Sequence, residues 1–136
     1  MIEQYGVLPY RIANGALEIL LITSRDTGRW VTPKGNPMPD LPGHETAARE
    51  AFEEAGVEGI VSPAALGKFV YDKRRRSGEM VEALVTLYPL EVTRQHDDWP
   101  ERSERTTRWF ERGEAALAVH EPGLQDLIRD FSPGAS

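Results

Sequence analysis

The chain contains no cysteine. That excludes a disulfide framework, a thiolate nucleophile and any zinc site built on sulfur. No apolar run approaches the ~20 residues that a membrane-spanning helix needs. The N-terminus shows no basic region leading into an apolar signal core. These absences give the expectation of a cytoplasmic protein. Excess positive charge is lacking too: the net charge is −6 over 136 residues. General nucleic-acid binding, which depends on basic surface, is therefore not expected. An anionic substrate would have to rely on a metal and a local basic patch. No internal repeat or low-complexity segment is present. With 40% hydrophobic and 28% charged residues, residues 1–136 are expected to form one domain with an ordinary core.

What is present concentrates between Trp30 and Val57, WVTPKGNPMPDLPGHETAAREAFEEAGV. Thr46 to Ala55 contains no Gly or Pro and several strong helix formers. Gly56 follows where a helix stops through a left-handed residue. At about 100° per residue, Glu50, Glu53 and Glu54 fall at roughly 0°, 300° and 40° around the axis. Three like charges in so narrow an arc repel one another. A bound cation removes that repulsion, and hard oxygen ligands suit Mg²⁺ or Mn²⁺. The plainer reading is a solvated helix face. Val31 to Gly35 reads as a strand ending in a sharp turn. A loop stiffened by Pro37, Pro39 and Pro42 follows, and such a loop beside an acidic helix makes a cleft.

Elsewhere, Gln4 to Ala13 predicts an edge or bulged strand because of Pro9. Asn14-Gly15 predicts a hairpin turn, and Ala16 to Thr23 a mostly buried strand. Ser24 to Arg29 reads as a polar loop. Val57 to Val61 leads through Ser62-Pro63 to a strand over Ala65 to Tyr71. A basic loop, Asp72 to Gly78, connects it to a long strand over Met80 to Val92. After a polar loop from Gln95 to Arg105 come a short strand (Thr107 to Glu111) and a helical turn (Gly113 to Val119). Leu124, Leu127, Ile128 and Phe131 recur at helical spacing and predict an amphipathic C-terminal helix. Residues 132–136 are expected to fray. Strands on both sides of a central helix predict an α/β fold, a mixed sheet between helical layers. His44 reads as a local cap, and Trp30 and Trp109 as packing residues.

The stretch from Gly35 to Val57 resembles the signature of the Nudix hydrolases, G-x5-E-x7-R-E-U-x-E-E-x-G-U, where U is bulky and apolar. Arg49-Glu50-Ala51-Phe52-Glu53-Glu54-Ala55-Gly56-Val57 matches its closing half without insertion. Ala51 is smaller than usual. Leu41 stands where the first signature Glu belongs, with Asp40 or Glu45 as partial substitutes. The resemblance implies a Nudix-type α/β/α sandwich and metal-dependent hydrolysis of a phosphoanhydride. It further implies that Glu50 and Glu54, with Glu53, hold Mg²⁺ or Mn²⁺. Glu53 would be the catalytic base, or Glu50 in an alternative assignment.

Outside the signature, Lys73-Arg74-Arg75-Arg76 makes a local positive field in an acidic protein. It reads as a clamp for polyphosphate oxygens, against the plainer reading of a solubilising hairpin tip. Thr23-Ser24-Arg25, Arg29-Trp30, the basic hairpin, Arg105 and Trp109-Phe110 resemble the diphosphoinositol polyphosphate branch, which also acts on diadenosine polyphosphates. That likeness implies a substrate surface of Thr23, Ser24, Arg25, Lys34, Gly35, Lys73, Arg74, Arg75 and Arg105. Three positions depart from the branch: Lys34 replaces a usual Gly, and basic residues expected early and near the final helix are Gln4 and Glu121. A less highly phosphorylated substrate follows. The contrasting class is a non-catalytic Nudix domain that binds a nucleotide metabolite for regulation, which Leu41 favours. The expected partner is a small polyphosphate substrate, with no membrane or specific nucleic-acid partner, and the chain is expected to be a monomer or homodimer.

Overall fold

The structure, a computed structural model, describes residues 1–133. The elements in chain order are β1 (Ile2–Ala13), β2 (Ala16–Thr23), β3 (Trp30–Val31), β4 (Lys34–Gly35), α1 (Gly43–Ala55), β5 (Val57–Val61) and β6 (Gly67–Arg74). β7 (Met80–Gln95), β8 (Thr107–Glu111), α2 (Arg112–Ala118) and α3 (Pro122–Asp130) follow. The expected tail falls partly on 134–136, which lie outside the described residues. No helix among the described residues is long and apolar enough to cross a membrane.

The strands form one mixed sheet ordered β3-β2-β1-β7-β5, with β4 on β1, β6 on β7 and β8 on β2. β1 and β7 run parallel, Ile2 opposite Ala83 through Tyr10 opposite Glu91, and the other named pairs are antiparallel. Helices cover both faces. On one side α2 and α3 pack on Leu8, Ile19, Leu21, Phe69, Val85 and Leu87. On the other, Ala47, Ala51 and Ala55 of α1 lie on Val7, Leu20, Ile22, Val57 and Leu90. Two covered faces explain why Ile19 to Ile22 are four consecutive buried apolar residues instead of an alternating strand. The small alanines bring α1 close to the sheet.

Asn14 (φ 52°) and Gly15 (φ 79°) form the expected hairpin turn. Four expectations need correction. β1 is interior to the sheet, not an edge. Pro9 is tolerated because β4 pairs only at Tyr5 and Gly6, while β2 pairing starts at Tyr10. Its missing N–H points to the same side as that of Val7, into the gap between those partners. Lys34 and Gly35 are not in a sharp turn but pair with β1 as a short strand. Lys73 and Arg74 belong to β6, opposite Val81 and Met80, and the basic turn shrinks to Arg75–Gly78, where Gly78 has φ 90°. His44 caps nothing: the N-cap is Pro42, without a side-chain bond, and the His44 ring lies beside Tyr88. Trp30 packs edge-on against Phe110, and Trp109 lies under the Arg11 guanidinium.

Candidate active site

α1 stops at Gly56, whose φ of 70° suits glycine and whose N–H donates to the Phe52 carbonyl. The Trp99 ring covers this glycine, where a Cβ would strike it. With the alanine stripe fixed on the sheet, Glu50 and Glu54 project from the adjoining stripe toward β4. Gly35 lies directly under Glu50: a Cβ there would occupy the position of the Glu50 carboxyl. The Lys34 backbone N–H donates to Glu54 Oε1 at 3.4 Å. A two-residue strand thus seats both carboxyls.

Glu50 and Glu54, one turn apart on α1, crowd into the same cleft. Burial raises both above the usual carboxylate range, and Glu54, 7% exposed, is pushed up to about 8. Arg105 and Lys34 oppose that rise. The Arg105 guanidinium is itself nearly buried. Its Nε donates to Glu101 Oε1 at 2.8 Å, one terminal nitrogen to the Thr23 carbonyl at 3.1 Å, and the other lies 3.8 Å from Glu54 Oε1. Arg25 extends this ion network, 3.0 Å from Glu104 and 3.9 Å from Glu101.

These groups line an open cleft of about 1460 Å³, whose wall continues through Tyr71 to the basic turn. Lys34 Nζ sits 4.6 Å from the centre of the Tyr71 ring. Burial lowers the Lys34 ammonium from its ordinary value, against the pull of Glu54 and Glu121. The Tyr71 hydroxyl donates to Gln4 Oε1, and Gln4 Nε2 donates to Asn36 Oδ1 at 3.0 Å.

Of the residues singled out from sequence, Ser24, Arg25, Lys34, Gly35, Glu50, Glu54, Lys73, Arg74, Arg75 and Arg105 line this one cleft. Thr23 and Glu53 do not. The Thr23 hydroxyl accepts the Thr106 N–H at 2.8 Å. Glu53 lies off the cleft wall, and its backbone carbonyl accepts the Glu101 N–H at 3.0 Å. Among the described residues no three carboxylates or imidazoles converge as metal ligands would. A crowded, partly desolvated carboxyl pair with hard oxygen donors is nevertheless a donor set that suits a divalent cation. Leu41 and Glu45 line a separate groove with Ala48, Phe52 and Leu90, and Asp40 lines neither. Neither Asp40 nor Glu45 therefore stands in for a cleft carboxylate. Sequence reading missed Glu101, Tyr71 and Asn36. Glu101 sits in a loop whose path no local pattern fixes; its one signal is the four-residue spacing from Arg105.

A NUDIX domain profile matches residues 4–131. Nudix hydrolase 12, mitochondrial, from Arabidopsis thaliana is 31% identical over 144 residues, covering 93% of this chain and 70% of that protein. Diphosphoinositol polyphosphate phosphohydrolase 3-beta from Bos taurus is 32% identical over 124 residues, covering 88% and 71%. The crystal structure of the C. elegans Ap4A hydrolase superposes with a TM-score of 0.65 at 21% identity, over 95% of this chain and 94% of that one, a likeness of fold. Nudix hydrolases generally use divalent metal ions. Matched over nearly its whole length by the family profile and by relatives named as hydrolases, the chain belongs to the Nudix family and is one of its pyrophosphohydrolases.

Proposed function

We propose that this Nudix hydrolase uses Mg²⁺ or Mn²⁺ to cleave a phosphoanhydride bond in a small polyphosphate of the dinucleoside polyphosphate or diphosphoinositol polyphosphate type. The observation that carries this reading is that one cleft holds both a carboxyl pair, half-buried Glu50 with buried Glu54, and the cations Lys73, Arg74 and Arg75. The relatives named for diphosphoinositol polyphosphate and Ap4A support the same substrate classes.

Glu50 and Glu54 would hold the cation. When bound, it offsets charge on the phosphoryl oxygens as the bond breaks. Glu50, which lines the cleft, would take the proton of an attacking water, with Glu53 as the alternative base. Lys73, Arg74 and Arg75 would grip the distal phosphates and keep the chain in line, which is positioning work. Ser24 and Arg25 would bound the same path. Arg105, with its donors committed to Thr23, Glu101 and Glu54, orients carboxylates instead of clamping phosphate. Lys34 and Gly35 would meet the substrate where β4 passes under Glu50, and Thr23 would act through its hold on Arg105. Cytoplasmic action as a monomer or homodimer belongs to the proposal.

The test is release of phosphate or nucleotide with Mg²⁺ present. Glu50→Gln is expected to lower kcat at least ~100-fold and Glu53→Gln less than ~10-fold. Full activity in Glu50→Gln, or loss confined to Glu53→Gln, would overturn this assignment of the base. The non-catalytic reading rests on Leu41, which lies in a separate groove from Glu50 and Glu54.

A further inference from the structure

The cleft is electrically lopsided. Its inner cation, Lys34, rests on Tyr71, and Glu54 and Glu121 line the same cleft. Behind Tyr71 stands Gln4, 2% exposed. Its amide accepts from the Tyr71 hydroxyl and donates to Asn36. Gln4 meets both neighbours as a neutral amide, so it brings no charge to this wall. At the outer end the balance reverses. Lys73, Arg74, Arg75 and Arg76 line the cleft and make no ion pair among the described residues. Tyr71 and Lys73 share one face of β6 by strand alternation, so the passage from neutral to basic wall takes a single step along that strand.

A ring carrying phosphates on neighbouring carbons needs cations on several sides at once. A linear phosphate chain needs them along one line. We propose that Gln4, Tyr71 and Glu121 form a neutral-to-acidic collar around Lys34 that excludes a second phosphate there, making the enzyme specific for linear polyphosphates running outward to the basic turn. This rests on the hydrolase reading above and narrows its substrate class. The chemical consequence is a preference for chain-like phosphates, as in dinucleoside polyphosphates, over phosphates clustered on a cyclitol. Glu121 immediately precedes Pro122, the first residue of α3, and makes no side-chain cap. Its charge can therefore be changed without removing a helix contact.

The experiment has a binding arm and a kinetic arm. Calorimetry compares tripolyphosphate with inositol hexakisphosphate, both without added metal. Initial rates with Mg²⁺ compare diadenosine tetraphosphate with a diphosphoinositol polyphosphate. Wild type is expected to favour the linear member of each pair. Glu121→Lys should shift both ratios toward the ring compound by at least about tenfold, and Glu121→Gln by less, since opposite charge nearby scales the attraction. Circular dichroism checks that both variants fold. Equal or tighter binding of inositol hexakisphosphate by wild type would overturn the collar, as would Glu121→Lys acting equally on both members. Preserved linear preference in binding with no turnover of either substrate would count against the hydrolase reading while supporting the collar.

Discussion

Gly35 decides where a carboxylate can sit. Its missing side chain is the space through which the Glu50 carboxyl passes. The atoms nearest a Cβ at Gly35 all belong to the movable Glu50 side chain, so the fold should absorb Gly35→Ala while Glu50 is displaced. We expect the melting temperature to change by no more than a few degrees and kcat to fall at least ~10-fold, about 1.4 kcal/mol of transition-state stabilisation. Parallel thermal melts and initial rates check this; a large stability loss with unchanged kcat per folded molecule would contradict it. Arg105 works differently. It is nearly buried and answers Glu101 and Glu54 together, so Arg105→Ala strands two carboxylates. Urea unfolding should show a loss of about 3 kcal/mol, the usual cost of removing one partner of a buried ion pair.

α1 is the element on which the site depends, and its end is fixed by Gly56 and Trp99. Gly56→Ala forces a Cβ onto a residue at φ 70° and into the Trp99 ring. We expect about 1–3 kcal/mol of destabilisation from strain and displaced packing, read by urea denaturation. An unchanged midpoint would contradict the account of this cap. This helix was legible in the sequence because its stop signal and glutamate spacing are local. So were β2, the Asn14-Gly15 turn, β7 and β8, each bounded by turn residues. Pro9 misled because the cost of a missing N–H depends on which strand lies opposite, a fact local sequence does not contain. Lys73 and Arg74 read as loop because their charge masked a full ladder to β7. Glu53 was legible on the helix face it shares with Glu50 and Glu54, while the rotation of α1 is set by Ala47, Ala51 and Ala55 on the sheet. Glu101 came within reach only through the long-range approach of the 96–106 loop to α1.

At the scale of the whole molecule, helices on both faces of the sheet leave the cleft where α1, β4, β6 and the 96–106 loop meet. A protein of net charge −6 repels polyphosphates overall, and Lys73 to Arg76 form a local basic exception at the cleft. Binding should therefore weaken with salt, since exposed charges are screened within about 8–10 Å at 0.1–0.15 M ionic strength. We expect KM for a linear polyphosphate to rise with salt while kcat changes little. Replacing Arg75 and Arg76 with alanine should raise KM at low salt and flatten that dependence. A salt-independent KM in wild type would leave the basic turn as a solubilising tip.

The most direct measurement is the release of nucleotide from diadenosine tetraphosphate by wild type and Glu50→Gln, each assayed with Mg²⁺ and with the metal chelated. The account predicts turnover only in wild type with metal, and loss of at least ~100-fold on either chelation or substitution. Undiminished turnover by Glu50→Gln, or by wild type stripped of metal, would contradict the claim that the Glu50–Glu54 pair is the catalytic centre.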